Sequence, residues 1–307
     1  MTGGACTGGG LHGGRHDGGG TDAGGGGFRM SEAYVLVEIA DGVGTLTLNR
    51  PAKLNAFIGE MRSEIARGIE TLGADGGVRA VIITGTGRAF CAGADVKYLT
   101  RLIETRAIDE AVALVEAGRR VAVAIRKMPK PVIAAVNGPA AGGGANLALA
   151  CDLRLASETA SIGQTFNRIG LHPDWGGTYA VPRLAGPARA AELFFFAEMV
   201  PAAECERIGL VNRVVPADEL MPLAREWALS LARKPTLPLR LAKEAVRRSL
   251  SSSFEEMLDY EAAAQKACFE SADALEGVRA FVEKRPPRFG GGGEDEDPAA
   301  TEGGSRV

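Results

Sequence analysis

The order of apolar runs and glycine turns constrains the fold of this chain more than any other feature of its sequence. Residues 80–85 (AVIITG) and 132–138 (VIAAVNG) are short, largely apolar runs, and a glycine-rich turn follows each of them. A long helical pattern carrying Val112, Val115 and Val123 lies between the two runs. Buried strands that alternate with helices predict an α/β fold with parallel strands and crossover helices.

The segments on either side extend this pattern. Two β-rich runs, YVLVEI and VGTLTL, flank Asp41-Gly42 and predict a hairpin. The run CDLRLAS predicts a further strand. Apolar residues then recur at helical spacing before the first buried strand: Met61, Ile65, Ile69 and Leu72. After Leu184 the pattern is helical, with helices predicted at Ala188–Met199, Ala202–Ile208, Ala217–Arg233, Leu237–Leu250 and Ser253–Phe269.

Both ends of the chain differ from its middle. Residues 1–29 are too rich in glycine to offset the entropy lost on ordering, and residues 290–307 are similar with added acid, so both tails are predicted to be disordered. Met30 is a candidate for the true start. Between the tails we predict a core over residues 30–184 and a helical C-terminal region over residues 185–289.

The charge and cysteine content exclude several classes of function. The formal net charge of −3 gives no broad field for nucleic acid or an anionic membrane, and no apolar run reaches the roughly 20 residues that span a bilayer. The N-terminus lacks a secretory pattern, and five scattered cysteines fit a reducing cytoplasm. Only three histidines occur, two of them in the first tail, so no metal site is expected.

The two glycine turns are the first candidates for chemistry. Neither turn has the spacing of the dinucleotide or P-loop fingerprints. Main-chain N–H groups in such turns are able to donate to one ligand oxygen and form an oxyanion hole. The alternative is that glycine only allows a strand and a helix to pack closely.

Six segments, in this order and spacing, resemble the enoyl-CoA hydratase/isomerase family, also called the crotonase superfamily. The resemblance covers about residues 34–289 and implies a spiral of ββα units, a helical C-terminal trimerisation region and an acyl-CoA thioester as substrate. Coenzyme A would be part of that substrate, no separate cofactor is expected, and the oligomer would be a homotrimer or a dimer of trimers. The segments are NRPAKLNAF, GRAFCAGADVKYL, NGPAAGGGANLALACDLRLAS, IGLHPDWGGTYAVPRLAG, AAECERIGLVNRVVP and FVEKRPPRF.

The resemblance assigns roles to the glycine turns. The family's oxyanion hole falls on the main-chain N–H groups of Ala94 and Gly143, where it would stabilise a thioester enolate. Lys284 is a further candidate for a coenzyme A phosphate. The family's coenzyme A segments match Lys53, Ala56, Ala92, Ala94, Asp95, Val96 and Lys97.

The chain departs from the hydratase pattern at two positions. Typical hydratases of this family hold a water between two glutamates, and the matching residues here are Asn146 and Phe166. Asp174 is then the residue implied to transfer protons, as in the epoxyphenylacetyl-CoA isomerase branch and related enoyl-CoA isomerases. One carboxylate suffices to move a proton from one carbon to another. The competing interpretation is that Asp174 is a turn residue whose side chain caps the next helix.

Several neighbours of Asp174 are candidates for the substrate pocket. His172 is either an exposed turn residue or the partner of Asp174 in acid–base chemistry. Trp175 is expected to pack and to shape an acyl pocket. Asn146 either donates a hydrogen bond to substrate or Asp174 or caps a helix. The remaining candidates that would line the pocket are Tyr98 and Phe166.

The sequence therefore predicts an enoyl-CoA isomerase that shifts a double bond or isomerises a ring epoxide, with Asp174 as proton shuttle. Three alternatives remain open. One is hydration of an enoyl-CoA with a single acid, and another is nucleophilic attack by Asp174 on an aryl-CoA, as in dehalogenases. The third is an acyl-CoA-binding protein without catalysis.

Overall fold

A computed structural model describes Met1 and residues 34–290 of the chain, and the predictions for the tails and for Met30 as the start lie almost wholly outside these residues. Nine strands and eleven α-helices occur in the described part. The strands are β1 Val35–Ala40, β2 Val43–Leu48, β3 Ala80–Gly85, β4 Val132–Val136, β5 Ala140–Ala141, β6 Leu153–Ser157, β7 Ser161–Gly163, β8 Met199–Pro201 and β9 Arg213–Val215. The helices are α1 Gly59–Ala74, α2 Val96–Glu104, α3 Ile108–Lys127, α4 Gly143–Ala150, α5 Gly177–Ala185, α6 Pro187–Phe196, α7 Ala202–Arg207, α8 Leu220–Ala232, α9 Thr236–Arg248, α10 Phe254–Glu270 and α11 Ala272–Val282.

The strands form two sheets. The larger has the order β1-β2-β3-β4-β6-β9, with β1 and β2 antiparallel and every other pair parallel, and the smaller has the order β5-β7-β8. The predicted hairpin is confirmed, because Ala40 pairs with Val43 across a turn in which Asp41 and Gly42 have positive φ. The mixed α/β class predicted from the alternation of runs is confirmed.

The large sheet is covered on both faces. Along β3, Val81 and Ile83 point into one apolar cluster, whereas Ala80 and Ile82 point into another. Helices α1, α3 and α4 supply the first cluster and α8 supplies the second. Since successive strand residues face opposite sides, burial on both faces explains why this strand is an uninterrupted apolar run.

The structure corrects one predicted helix and adds elements that the sequence did not predict. The helix predicted at Ala188–Met199 ends at Phe196, because Ala197 adopts a left-handed conformation and Met199 begins β8. Strands β8 and β9 each contain only three residues, which is too few for an alternation of apolar and polar residues to indicate a strand. Helix α11 was not predicted either. The division predicted after Leu184 falls inside α5, which ends at Ala185.

Candidate active site

A cavity of about 1010 Å³ lies beside the two glycine turns. Asp174 is the only acidic residue among the described residues that line it. The wall is largely apolar and comes from distant parts of the chain, including Phe57 before α1, Leu99 in α2, Leu114 in α3 and Phe166. The crossing of these segments creates a partly open, largely apolar cavity next to a single carboxyl group.

The carboxyl group of Asp174 is partly removed from water. Burial raises its pKa from 3.8 to about 6, although the Arg62 guanidinium, a main-chain N–H group and His172 act in the opposite direction. Its Oδ1 atom is buried and has no hydrogen-bond partner among the described residues. A carboxylate with a pKa near 6 is a stronger base than an ordinary aspartate and is mostly ionised at neutral pH.

The capping interpretation of Asp174 is wrong. Helix α5 has Gly176 as its N-cap and receives no hydrogen bond from a capping side chain. It is the main-chain carbonyl of Asp174, not its side chain, that accepts from the N–H of Gly177 at 3.0 Å. The carboxyl group therefore has no structural role in starting the helix.

Asn146 holds the Asp174 turn in place. Its Nδ2 donates to the main-chain carbonyl of Asp174 at 2.8 Å, and its Oδ1 accepts from Nε2 of Gln164 at 2.8 Å. Asn146 lies inside α4, whose N-cap is Gly142, so the predicted hydrogen bond to Asp174 is confirmed and the predicted cap is wrong. Gln164 was not predicted, and no sequence pattern distinguishes it from an ordinary polar residue.

The two glycine turns lie side by side with unengaged main-chain donors. Phe57 donates to Gly93 O at 2.7 Å and accepts from Asp95 N–H at 2.9 Å, so the intervening Ala94 N–H faces away from Phe57. Gly143 begins α4, where N–H groups lack partners within the helix. No described main-chain carbonyl accepts from either N–H group. A Cβ on Gly93 would lie 3.7 Å from Gly143 N, so the turns are adjacent.

The residues that matched coenzyme A segments meet at a second, smaller cavity of about 240 Å³. The Asp95 carboxylate pairs with Nη1 of Arg50 at 2.7 Å and accepts from the N–H of Lys97, which fixes the start of α2. Both lysines at this cavity are exposed, and Lys284 is not among its lining residues. The lining consists of Lys53, Ala56, Ala92, Ala94, Asp95, Val96 and Lys97.

The other predicted pocket residues divide into two groups. Trp175 is buried and stacks on Phe57 with ring centroids 4.6 Å apart, and Phe166 and Trp175 both line the large cavity. His172 also lines it but is exposed, with Nδ1 2.7 Å from the carbonyl oxygen of Pro173. Tyr98 does not line the cavity, because its hydroxyl group donates to Oε1 of Glu110 at 2.7 Å.

Arg62 is a cavity residue that sequence reasoning missed. Its side chain is only 4% exposed, and its guanidinium carbon lies 5.4 Å from the centre of the Phe57 ring. Arg62 precedes Ile65 by three residues and Ile69 by seven, so it belongs to the same helical row as these buried residues. A charged residue within an apolar helical row was the signal available in the sequence.

Within residues 34–290, no cluster of three or more His, Cys, Asp or Glu side chains is arranged to hold a metal ion. The helices of this part of the chain include none with the length and hydropathy needed to cross a membrane.

Known proteins that are similar to this chain come from one family. Residues 38–292 match the family model described as enoyl-CoA hydratase/isomerase. The chain is 41% identical to a probable enoyl-CoA hydratase from Rhodobacter capsulatus over 85% of this chain and 100% of that protein. It is 38% identical to 1,2-epoxyphenylacetyl-CoA isomerase from Escherichia coli, over 84% of this chain and 98% of that protein. The crystal structure of an enoyl-CoA hydratase from Bacillus anthracis superposes with a TM-score of 0.79 at 36% identity, covering 83% of this chain and 98% of that one.

Proposed function

Since this chain belongs to the enoyl-CoA hydratase/isomerase family, whose members act on acyl-CoA thioesters, we propose that it isomerises an enoyl-CoA. Asp174 removes a proton from one carbon of the acyl group and returns it to another, which shifts a double bond or isomerises a ring epoxide. Coenzyme A is part of the substrate, and the reaction requires no separate cofactor.

The observation that carries this proposal is the single carboxyl group in the cavity wall. Its buried Oδ1 atom has no partner, and its pKa of about 6 suits a group that accepts and returns a proton near neutral pH. Hydration in this family typically uses two glutamates. Here the amide of Asn146 is engaged with Asp174 and Gln164, and Phe166 is apolar, so neither matching residue offers a second carboxylate.

The adjacent glycine turns supply hydrogen-bond donors for the negative charge that develops on the thioester oxygen when the proton is removed. We assign the N–H groups of Ala94 and Gly143 to the thioester oxygen, which becomes negative in the enolate. Each such donor contributes about 3–4 kcal/mol in comparable oxyanion sites. The hydrogen bond from Asn146 to the Asp174 main chain limits movement of the turn while the proton is transferred.

The coenzyme A moiety is assigned to the small cavity that Lys53 and Lys97 border, where exposed ammonium groups are available to phosphates. We also propose that the C-terminal helices associate with those of other copies in a trimer or dimer of trimers. Exposed large apolar side chains on these helices support such a contact, among them Phe254, Phe269 and Phe281.

Substitution Asp174→Asn tests the assignment, because the amide keeps the shape of the side chain but cannot accept the proton. We expect turnover of a 3-enoyl-CoA, followed by the appearance of conjugated enoyl-thioester absorbance, to fall by at least about 1000-fold. The affinity for the saturated acyl-CoA of the same chain length should change little. Asp218→Asn, at an exposed residue outside the cavity, is the matched control. Retained turnover in Asp174→Asn contradicts the proposal.

Hydration is a second candidate, and the name of the Rhodobacter capsulatus relative favours it. In that case Asp174 alone would activate a water molecule. Crotonyl-CoA separates the two reactions, because hydration removes the enoyl-thioester absorbance whereas isomerisation of a 3-enoyl-CoA creates it. Binding of enoyl-CoAs without turnover of any of them would instead favour an acyl-CoA-binding protein.

A further inference from the structure

Arg62 is a buried cation whose guanidinium group makes no hydrogen bond, although its charge interacts with that of Asp174 across the cavity wall. Its Nε and Nη1 atoms are inaccessible to solvent, and no hydrogen bond or ion pair between described residues involves its guanidinium group. Arginine stays charged in proteins, and burying a charge without hydrogen bonds is unfavourable. Such a residue persists when a ligand supplies the missing acceptor.

The surroundings of Arg62 show where that ligand would lie. Arg62 lines the same large cavity as Asp174, and the ring of Phe57 lies beneath its guanidinium group. The guanidinium carbon lies 5.4 Å from the ring centre, so this contact is a cation–π interaction and supplies no oxygen acceptor to the N–H groups. Since Nε and Nη1 are closed off from solvent, Nη2 is the guanidinium nitrogen that is left to meet an oxygen atom in the cavity.

The charge of the cavity also favours an oxygen-bearing ligand. Four arginines and one carboxyl group line it, although the whole chain carries a net charge of −3. Three of the arginines are at least partly exposed to solvent, whereas Arg62 is buried within the wall. The four are Arg62, Arg119, Arg126 and Arg168.

We propose that Arg62 selects the acyl group, by donating a hydrogen bond to an oxygen on that group remote from the thioester. This inference rests on the proposed function for its catalytic readout. The thioester oxygen is already assigned to Ala94 and Gly143, so the oxygen that meets Arg62 belongs to the acyl chain. A carboxylate and a neutral carbonyl share this chemistry, and the experiment separates them.

The experiment compares three substrates of equal chain length in wild type and Arg62→Met. The substrates are the CoA thioester of 3-hexenoic acid, the CoA monothioester of 3-hexenedioic acid, and the methyl ester of that monothioester. In wild type we expect kcat/KM to be at least about tenfold higher for the oxygenated substrates, since a hydrogen bond to a charged group has that effect or more. A higher value for the free acid than for its methyl ester identifies a carboxylate as the preferred oxygen.

Arg62→Met should bring the ratio of kcat/KM between the oxygenated substrates and 3-hexenoyl-CoA to about one. The ratio is the readout, because loss of the Arg62 charge also raises the pKa of Asp174 and changes the turnover of every substrate. Arg67→Met, at an exposed arginine of the same helix, is the matched control and should retain the preference. A wild type without preference overturns the proposal. An equal decrease of kcat/KM for all three substrates in Arg62→Met also overturns it, because Arg62 would then be a counter-ion of Asp174 or a structural residue.

A binding measurement separates failure of this inference from failure of the proposed function. Titration calorimetry with hexanoyl-CoA and the CoA monothioester of hexanedioic acid needs no turnover. If the wild type binds the oxygenated ester at least about tenfold more tightly and Arg62→Met does not, Arg62 is confirmed as the selecting residue even where no isomerisation is detected. Equal affinities for the two esters in wild type overturn it.

Discussion

Replacing Asp174 by asparagine should make the protein more stable at neutral pH while it abolishes turnover. Burial raises the pKa of this carboxyl group from 3.8 to about 6, so ionisation is less favourable in the folded protein than in the unfolded chain. A shift of about two pKa units corresponds to about 3 kcal/mol of unfolding free energy at pH 7. Because Asp174 as a residue is only partly buried, about 3 kcal/mol is an upper bound.

The pH dependence of this difference follows from the direction of the shift. Between pH 3.8 and about 6 the folded protein binds more protons at Asp174 than the unfolded chain does, so the contribution of this group to stability falls as pH rises. Above about pH 6 the full cost of ionisation is present in the wild type. Below pH 3.8 the group is protonated in both states, and the cost disappears.

Urea denaturation of wild type and Asp174→Asn at pH 4, 5, 6, 7 and 8, at one protein concentration, measures the effect. We expect the variant to be more stable by about 2–3 kcal/mol at pH 7 and 8, with the difference shrinking towards zero at pH 4. The Asp218→Asn control should show no such dependence. Equal stability of Asp174→Asn and wild type at pH 7, or a difference that is constant with pH, would refute the reasoning.

Two further predictions concern the base and the glycine turn. The value of kcat/KM should be nearly constant above about pH 7 and fall tenfold per pH unit well below pH 6, because only ionised Asp174 accepts a proton; a profile that stays flat to pH 5 would contradict its role as base. Gly93→Ala should lower the unfolding free energy by at least about 2 kcal/mol and reduce turnover, because Gly93 has a φ of +87° and a Cβ there would lie 2.7 Å from Ala141 O. Gly76→Ala, where no atom lies within 4 Å of the added Cβ, should be nearly neutral in thermal denaturation and in the activity assay.

Most of the main helices and strands could be predicted from the sequence, because the patterns that indicate them are local. The hairpin around Asp41 and Gly42 and the buried runs of β3 and β4 could be predicted from turn residues and apolar runs within a few positions. The three-residue strands β8 and β9 could not, because they depend on pairing with β7 and β6 rather than on their own composition. The end of α6 depends on the conformation of one residue, Ala197.

Candidate residues for the site could also be read from motifs. The residues of the matched coenzyme A segments meet at one cavity, which Lys284 does not line, and Asp174 lies in the wall of another together with His172 and Trp175. Tyr98 was expected in the same wall, but its hydroxyl group is held by Glu110, a residue of the next helix. The direction of a side chain depends on such contacts, which local spacing does not reveal.

By itself, the sequence determined the α/β class, the family and Asp174 as the leading candidate for proton transfer, since each of these depends on residue types at fixed spacing. Only the tertiary structure decided that Asp174 caps no helix, that Asn146 anchors its main chain, and that Arg62 shares its cavity. The physical reason is desolvation. The pKa of a carboxyl group and the need of a buried cation for a partner depend on the packing of distant segments, which brings α1, α3 and the Asp174 turn around one apolar space.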